Sequence, residues 1–345
     1  MRFPDLRAIA RRRRLPPSGM GRFLIHRLLW AIFLFFVATL ITYVIFYRVP
    51  DHPVFIAGGT GAAATPELIA HTRHELHLDL PFYQQYWLFV WNMVRHGSLG
   101  YSFRNRQPVR WIIGQDAPVT ASLVLGGAVF WLALSVPLGI ISALRRRSLV
   151  DRMTMILVLM GVSVPAFWVG LILLYVFGFK LGWTPIAGYC NFVPTNQVGV
   201  CSGPTQWAYH LLLPWTTFMI LFVALYTRMI RAGVLETLRE DYVRTAWAKG
   251  ASGRVVLIRH VLRNSMLQVV TMLGMDIGVA LGNAVFTEYT FDLHGLGTEL
   301  LGAVLTRDLP TVVGIVICTS VVVIAVNFIV DVTYAYLDPR IRLAG

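Results

Sequence analysis

The sequence predicts an all-α membrane protein with six transmembrane helices and both termini in the cytoplasm. Of its 345 residues, 56% are apolar and 14% are charged, whereas soluble domains average about 45–50% apolar and 25% charged residues. The mean hydropathy is +0.64. Six stretches are long and apolar enough for a helix to cross the hydrocarbon core, where every backbone polar group must be bonded internally. An ordinary soluble fold is excluded.

The six predicted spans carry at most one charged residue each. Pro137 in the second span and Pro165 in the third each remove one backbone hydrogen bond, so both helices are expected to bend there. The fifth span contains one acid, Asp276. The predicted spans are 28–47, 117–144, 153–179, 207–227, 265–287 and 309–330.

The distribution of basic residues predicts the orientation. Thirty Lys and Arg against 17 Asp and Glu give a formal net charge of +13. With six spans, 22 of the 30 basic residues fall on the side that holds both termini. Basic residues concentrate on the cytoplasmic side of membrane proteins. The basic excess is therefore an orientation signal, and no nucleic-acid partner is predicted, since that needs a clustered basic face.

The predicted domain organisation is a basic cytoplasmic arm, residues 1–27, followed by a six-span transmembrane domain, residues 28–343. Arginines 11–14 of the arm either contact anionic lipid headgroups or belong to an extended translation start, with Met20 as the natural beginning. The domain is expected to include an outer segment, an outer loop and a cytoplasmic loop, at 48–118, 180–206 and 231–264.

The outer segment is too long for a bare connection, and its patterning favours helices over 66–77 and 81–96, each with a proline in the first turn. His71, His74 and His77 lie three residues apart, so their side chains drift around a helix instead of converging on one ion. We therefore interpret them as surface histidines and predict no metal site.

Two cysteines, Cys190 and Cys201, fall in the outer loop, on the side where thiols oxidise. We predict a disulfide between them, the alternative being two unpaired thiols. Cys318 lies inside the sixth span and is expected to be a small apolar core residue.

No catalytic residue and no cofactor is predicted. The chain has no Gly-x-x-x-x-Gly-Lys-Ser/Thr loop to hold nucleotide phosphates, so an energy source must lie elsewhere. The string 250–253, Gly-Ala-Ser-Gly, matches the serine motif of rhomboid-type intramembrane proteases. However, Ser252 lies among Lys249, Arg254 and Arg259 in a cytoplasmic loop, where it is better explained as a helix N-cap.

The cytoplasmic loop reads as two amphipathic helices, 235–248 and 252–263, interrupted at Lys249 and Gly250. Glycine can adopt the left-handed conformation that a helix end requires. Such a helix–Gly–helix elbow is typical of a docking surface, although a solvated basic loop has the same composition.

Residues 241–250 read Asp-Tyr-Val-Arg-Thr-Ala-Trp-Ala-Lys-Gly, and residues 261–265 read Val-Leu-Arg-Asn-Ser. These two segments resemble the coupling loop of the permeases of binding-protein-dependent ABC importers, specifically the dipeptide/oligopeptide branch, and the resemblance extends over about 20–343. Residues 244–246 read Arg-Thr-Ala where the wider superfamily has Glu-Ala-Ala, and Asp276 stands where an amide or apolar residue is expected. Other matching strings lie at 97–103, 108–109, 165–170, 181–185 and 331–342.

The resemblance implies a type I ABC importer permease fold and a multi-pass inner-membrane subunit without catalytic activity, the first permease of a pair. Its implied partners are a homologous second permease, two cytoplasmic ATP-binding subunits, an extracytoplasmic substrate-binding lipoprotein and a peptide substrate. Cargo other than a dipeptide stays open: a longer peptide, haem, a nickel complex or another solute. An ion-coupled secondary transporter is the alternative class, although such transporters usually show repeated halves.

The resemblance also implies functional residues. In the coupling loop, Tyr242, Thr245, Ala246 and Lys249 would share one helix face towards an ATPase, and Gly250 would supply a turn with positive φ. Asp276 is expected to face the translocation pathway, either to attract an amino group or partner Arg or as an incidental polar residue in a wet cavity. The full set of predicted coupling residues is Asp241, Tyr242, Arg244, Thr245, Ala246, Lys249 and Gly250.

Overall fold

The structure is a computed structural model that describes residues 18–45, 80–102, 104–194 and 201–337. Within these ranges the regular elements are helices and no strand is present. The basic arm up to residue 17, the predicted helix 66–77 with its three histidines, and the end of the chain from residue 338 lie outside the described residues.

The helices are numbered in chain order. Two of them contain π-helical stretches: α5 continues as a π-helix over Leu174–Lys180, and α8 contains one over Val256–Leu262. The helices are α1 Ser18–Tyr43, α2 Phe82–His96, α3 Val109–Leu144, α4 Leu149–Ser163, α5 Ala166–Leu173, α6 Pro204–Thr237, α7 Asp241–Ala248, α8 Gly253–Thr290, α9 Leu296–Leu305 and α10 Leu309–Leu337.

Five helices are long and apolar enough to cross a membrane: α1, α3, α6, α8 and α10. They correspond to predicted spans one, two, four, five and six. Most extend beyond the predicted limits; α3 begins eight residues earlier than expected, at Val109. Pro137 does not interrupt α3.

The third predicted span is not one helix. The helix α4 ends at Ser163, Val164 adopts an extended conformation with φ −105° and ψ 130°, and Pro165 is the N-cap of the next helix, which begins at Ala166. A residue before proline is sterically pushed out of the helical region, and proline itself fits the start of a helix. The third predicted span, 153–179, therefore consists of two helices with a break before Pro165, a larger departure from one straight helix than the bend expected at this proline.

The core lies between α3 and α6. Trp131 of α3 is fully buried and stacks on Phe222 of α6, with ring centroids 4.3 Å apart. Phe218 and Tyr226 continue this aromatic contact one turn away on either side. These two helices share the largest aromatic contact of the core.

The helix predicted over 81–96 is confirmed as α2, which packs on the end of α1. The Tyr86 hydroxyl lies 2.9 Å from Thr39 Oγ1, and the Tyr43 hydroxyl donates to Gln85. The Tyr43 ring also contacts Phe89. The part of the outer segment that the structure describes therefore folds against the first long helix.

Candidate functional site

The 231–264 segment forms an elbow between two long helices. Residues 235–237, predicted to begin the first amphipathic helix, belong to α6, and a turn over residues 238–240 separates them from α7. The piece predicted over 252–263 is the beginning of α8 and is not a separate helix. Ser252 occupies the N-cap position, but its side chain makes no capping hydrogen bond. We call residues 238–252 the elbow.

Gly250 makes the turn of the elbow. Its φ is +79°, the left-handed region that glycine occupies without steric cost. The Lys249 N–H donates to Thr245 O at 3.1 Å, and the Gly250 N–H donates to Trp247 O at 2.9 Å. These bonds satisfy carbonyls at the end of α7. No heavy atom lies within 4 Å of a β-carbon built on Gly250, so the backbone conformation alone requires glycine there.

The inner side of α7 packs against the first turns of α8. Val243 and Ala246, three residues apart, are buried, as are Val256 and Val261 of α8. Ala246 therefore contacts its own chain, whereas the sequence placed it on the outward face with Tyr242 and Lys249. The correction follows from helix geometry, because residues three apart share a face and Val243 occupies the inward one.

The outer side of α7 is polar and aromatic. Apart from Ala246, all of the predicted coupling residues are exposed, and Trp247, which was not predicted, is exposed with them. Partial burial raises the pKa of Tyr242, so the hydroxyl keeps its proton at neutral pH. The elbow thus presents a small surface that its own chain does not cover.

Asp276 lies halfway along α8 and is half-buried. The hydroxyl of Tyr226, a buried residue of α6, is near Asp276 but makes no hydrogen bond within the described residues. A cavity of about 840 Å³ lies elsewhere on α8, between α1 and α10, where Met275 and Gly278 line it and Asp276 does not. The place of Asp276 on a translocation pathway stays a prediction.

Comparisons with known proteins identify the family. Residues 135–343 match the model described as the inner membrane component of binding-protein-dependent transport systems, and residues 20–124 match the model for the N-terminal part of such membrane components. The chain belongs to this family. It is a multi-pass inner-membrane permease component, and this class of subunit is not itself catalytic.

Similar proteins span nearly the whole permease. It is 37% identical over 335 residues to a di/tripeptide transport system permease protein of Pseudomonas aeruginosa (strain UCBPP-PA14) and 35% identical over 338 residues to the dipeptide transport system permease protein of Escherichia coli (strain K12). A putative peptide transport system permease protein of Brucella abortus (strain 2308) is 35% identical over 323 residues. Each match covers 94% of this chain and 99% of the relative.

The loop between α5 and α6 of the permease brings two cysteines together. The structure joins Cys190 and Cys201 through their sulfur atoms, with Cα atoms 5.0 Å apart. His210 Nδ1 lies 3.1 Å from Cys190 Sγ, so these three residues are the group that could hold a metal ion among the described residues. Because the two sulfurs are bonded to each other, neither is available as a thiolate ligand, and the donor set does not favour a metal.

Thiol mapping tests this bridge. We expect Cys190 and Cys201 to resist alkylation in the unfolded, non-reduced permease and to be labelled after reduction. On the chain-entropy model, a bridge that closes such a short loop stabilises the protein by about 2–3 kcal/mol. Cys318, the free cysteine of the described residues, is the internal control, since it should be labelled in both samples. Labelling at 190 and 201 without reductant would contradict the bridge.

Two polar networks were missed by the sequence reasoning. One surrounds Asp151, which pairs with Arg231 near the elbow. The other surrounds Glu288, a fully buried acid at the far end of α8. In the sequence, Asp151 and Glu288 are each an isolated acid near the end of an apolar stretch. That position is the only sequence signal for these two networks.

Asp276→Asn tests the predicted pathway role. If Asp276 attracts a cationic group of the cargo, its removal should lower uptake of cationic relative to anionic peptides by about tenfold, the equivalent of one charged hydrogen bond. Uptake of a matched peptide series into proteoliposomes measures this. Tyr226→Phe is the control, because it removes the neighbouring hydroxyl and keeps the acid. An unchanged preference in the Asn variant would leave Asp276 without a role in selection.

Proposed function

We propose that this permease is the first of two homologous permease subunits in an ATP-driven importer of peptides. The peptide cargo is inferred from the relatives, which are named as dipeptide, di/tripeptide or peptide transport permeases. Two cytoplasmic ATP-binding subunits would supply the energy, and an extracytoplasmic substrate-binding lipoprotein would deliver the cargo.

The proposed topology has six crossings and cytoplasmic termini. α4 and the α5 segment up to Lys180 together contain 30 helical residues, enough for one crossing at 1.5 Å per residue despite the break at Pro165. The 22 basic residues on the side of the termini support the orientation. In this arrangement the elbow and the 145–148 turn are cytoplasmic, and α2 and α9 lie outside.

The elbow is the observation that carries the proposal. A short helix stands between two long apolar helices, is anchored by its buried Val243 and Ala246, and presents polar and aromatic residues that its own chain leaves exposed. A surface of this kind can receive force from a partner and pass it to both long helices. ATP-driven closure of the partner subunits would move the elbow and switch the pathway between inward-open and outward-open states.

Reconstitution tests the proposed function. We expect the permease, expressed with its partners, to co-purify with two ATPase subunits and to take up peptide into proteoliposomes only when ATP and the binding protein are supplied. The control is the same complex with an ATPase unable to hydrolyse ATP. Robust peptide uptake by this chain alone, driven by an ion gradient, would instead support a secondary transporter.

A further inference from the structure

Asp151 lies where four parts of the permease meet. It is in the first turn of α4, next to the last turn of α3, the 145–148 turn and the final third of α6. The Asp151 side chain is 7% exposed. A buried carboxylate is costly unless it is paired and fully hydrogen-bonded, so its surroundings have to supply partners.

Four hydrogen bonds satisfy this carboxylate. Arg231 of α6 binds it through both forks, Nε to Oδ1 at 2.7 Å and Nη2 to Oδ2 at 2.9 Å. The Ser142 hydroxyl donates to Oδ1 at 2.5 Å, and the Arg147 N–H donates to Oδ2 at 2.9 Å. These bonds, above all the one from Arg231, hold the pKa of Asp151 well below its usual range. The pair is therefore ionised at neutral pH.

The rest of α4 is attached along a narrow seam. Asp151, Thr154 and Val158 are buried on one side of the helix, while most of its large apolar side chains on the other sides are exposed. Near the C-terminal end of α4, a β-carbon on Gly161 would lie 3.2 Å from Ile220 O, so the α4 and α6 backbones approach closely there. Near the N-terminal end of α4, the Asp151–Arg231 pair holds the helix to α6.

This pair connects the elbow to the break in the third predicted span. Arg231 lies six residues before the end of α6 at Thr237, where the chain enters the elbow. Asp151 lies at the start of α4, which ends at the break before Pro165. A bidentate Arg–carboxylate contact fixes orientation as well as distance. Such a contact would make α4 follow any motion of the C-terminal part of α6.

We propose that Asp151 and Arg231 are positioning residues that make α4 move with α6 and the elbow, so that ATP-driven motion reaches the first half of the third span. This inference rests on the proposed function. The pair acts by holding two helices together.

Paired variants test the proposal in the reconstituted importer. Asp151→Asn, Arg231→Gln and the double variant are compared for ATP hydrolysis, peptide uptake and co-purification with the ATPase subunits. We expect each single variant to retain the ATPases and their hydrolysis but to lose about tenfold in peptide taken up per ATP hydrolysed. The double variant should be no worse than the more affected single, because both remove one interaction.

Matched controls change exposed charges outside the pair. Arg152→Gln removes a basic residue from the same turn of α4, and Asp292→Asn removes an exposed acid beyond α8. Both should keep the normal ratio of uptake to hydrolysis. An unchanged ratio in Asp151→Asn and Arg231→Gln, or additive losses in the double variant, would overturn the proposal.

If a variant fails to assemble, a distance measurement in the unmodified complex tests the proposal. Spin labels at the exposed positions Leu149→Cys and Arg239→Cys report the separation of α4 from the elbow. In the otherwise unchanged complex, we expect one narrow distance that stays the same with and without ATP. A separation that changes between these states would overturn the proposed role of the Asp151–Arg231 pair even if peptide import is confirmed. If the unmodified complex shows no ATP-dependent uptake, the proposed function fails, and the role of the pair is tested by this distance alone.

Discussion

Replacing Glu288 with alanine is expected to destabilise the folded permease by about 3–5 kcal/mol, because several buried donors would lose their acceptor together. The Thr120 hydroxyl donates to Glu288 Oε1 at 2.6 Å, and the Thr298 N–H donates to Oε2 at 3.0 Å. The Thr298 hydroxyl lies 3.5 Å from the same Oε2. Thermal unfolding of the detergent-solubilised complex and the amount of permease in the membrane measure the loss.

The size of this effect follows from what Glu288 does for α9. The first N–H groups of a helix have no partner within the helix, and an acid near them is favourable. Glu288 accepts one of these groups in α9, the Thr298 N–H, and the Thr120 hydroxyl accepts another, the Leu296 N–H, at 2.8 Å. One side chain of α8 and one of α3 therefore cap α9 and join three helices.

Two further variants refine the expectation. Glu299→Gln is the matched control, because Glu299 accepts one exposed hydrogen bond from Asn105 and the amide oxygen of glutamine can replace it. Its effect should stay within about 0.5 kcal/mol. Gly297→Ala should destabilise strongly, since its β-carbon would lie 2.7 Å from Val285 Cα and 2.9 Å from Glu288 Oε2. If both Glu288→Ala and Gly297→Ala unfold at the same temperature as the unmodified permease, the capping role of Glu288 is contradicted.

Composition and charge pattern were enough to predict the long helices, because a span needs about 20 apolar residues whatever its neighbours are. They could not locate the break at Pro165. Pro118, Pro137 and Pro214 lie inside helices, although each lacks the same N–H. Whether the freed carbonyl finds another partner depends on helices that are distant in sequence.

The sequence was likewise sufficient to predict one part of the elbow and insufficient for another. Gly250 could be predicted, since a left-handed turn between two helical patterns favours glycine over every other residue. The end of α6 at Thr237 could not, because no glycine or proline marks residues 235–241. The partners of Asp151 and Glu288 were also beyond sequence reasoning: Arg231 is 80 residues from Asp151, and Thr120 is 168 residues from Glu288. Such contacts arise from helix packing and leave no local pattern.

Gly250→Val is expected to leave the long helices inserted while separating ATP hydrolysis from transport. Valine must adopt the φ of +79° or unwind the turn, and the left-handed conformation costs a non-glycine residue about 1–2 kcal/mol, with branching at Cβ adding to this. Because the space around Gly250 is open, no side-chain collision contributes. Gly250→Asn is the sharp control, since asparagine tolerates this conformation and should retain coupling.

Ala246→Asp should have the larger effect at the elbow. Its carboxylate would be buried beside Val243 and the valines of α8, where no group replaces its water. The inner face of α7 would then separate from α8, and the exposed residues of α7 would lose their orientation towards an ATPase. We expect weaker co-purification of the ATPases and, in complexes that do form, at least about tenfold less peptide uptake per ATP hydrolysed. Co-purification, hydrolysis and uptake measured in parallel decide it: wild-type values for all three in both Gly250→Val and Ala246→Asp would end the assignment of coupling to this elbow.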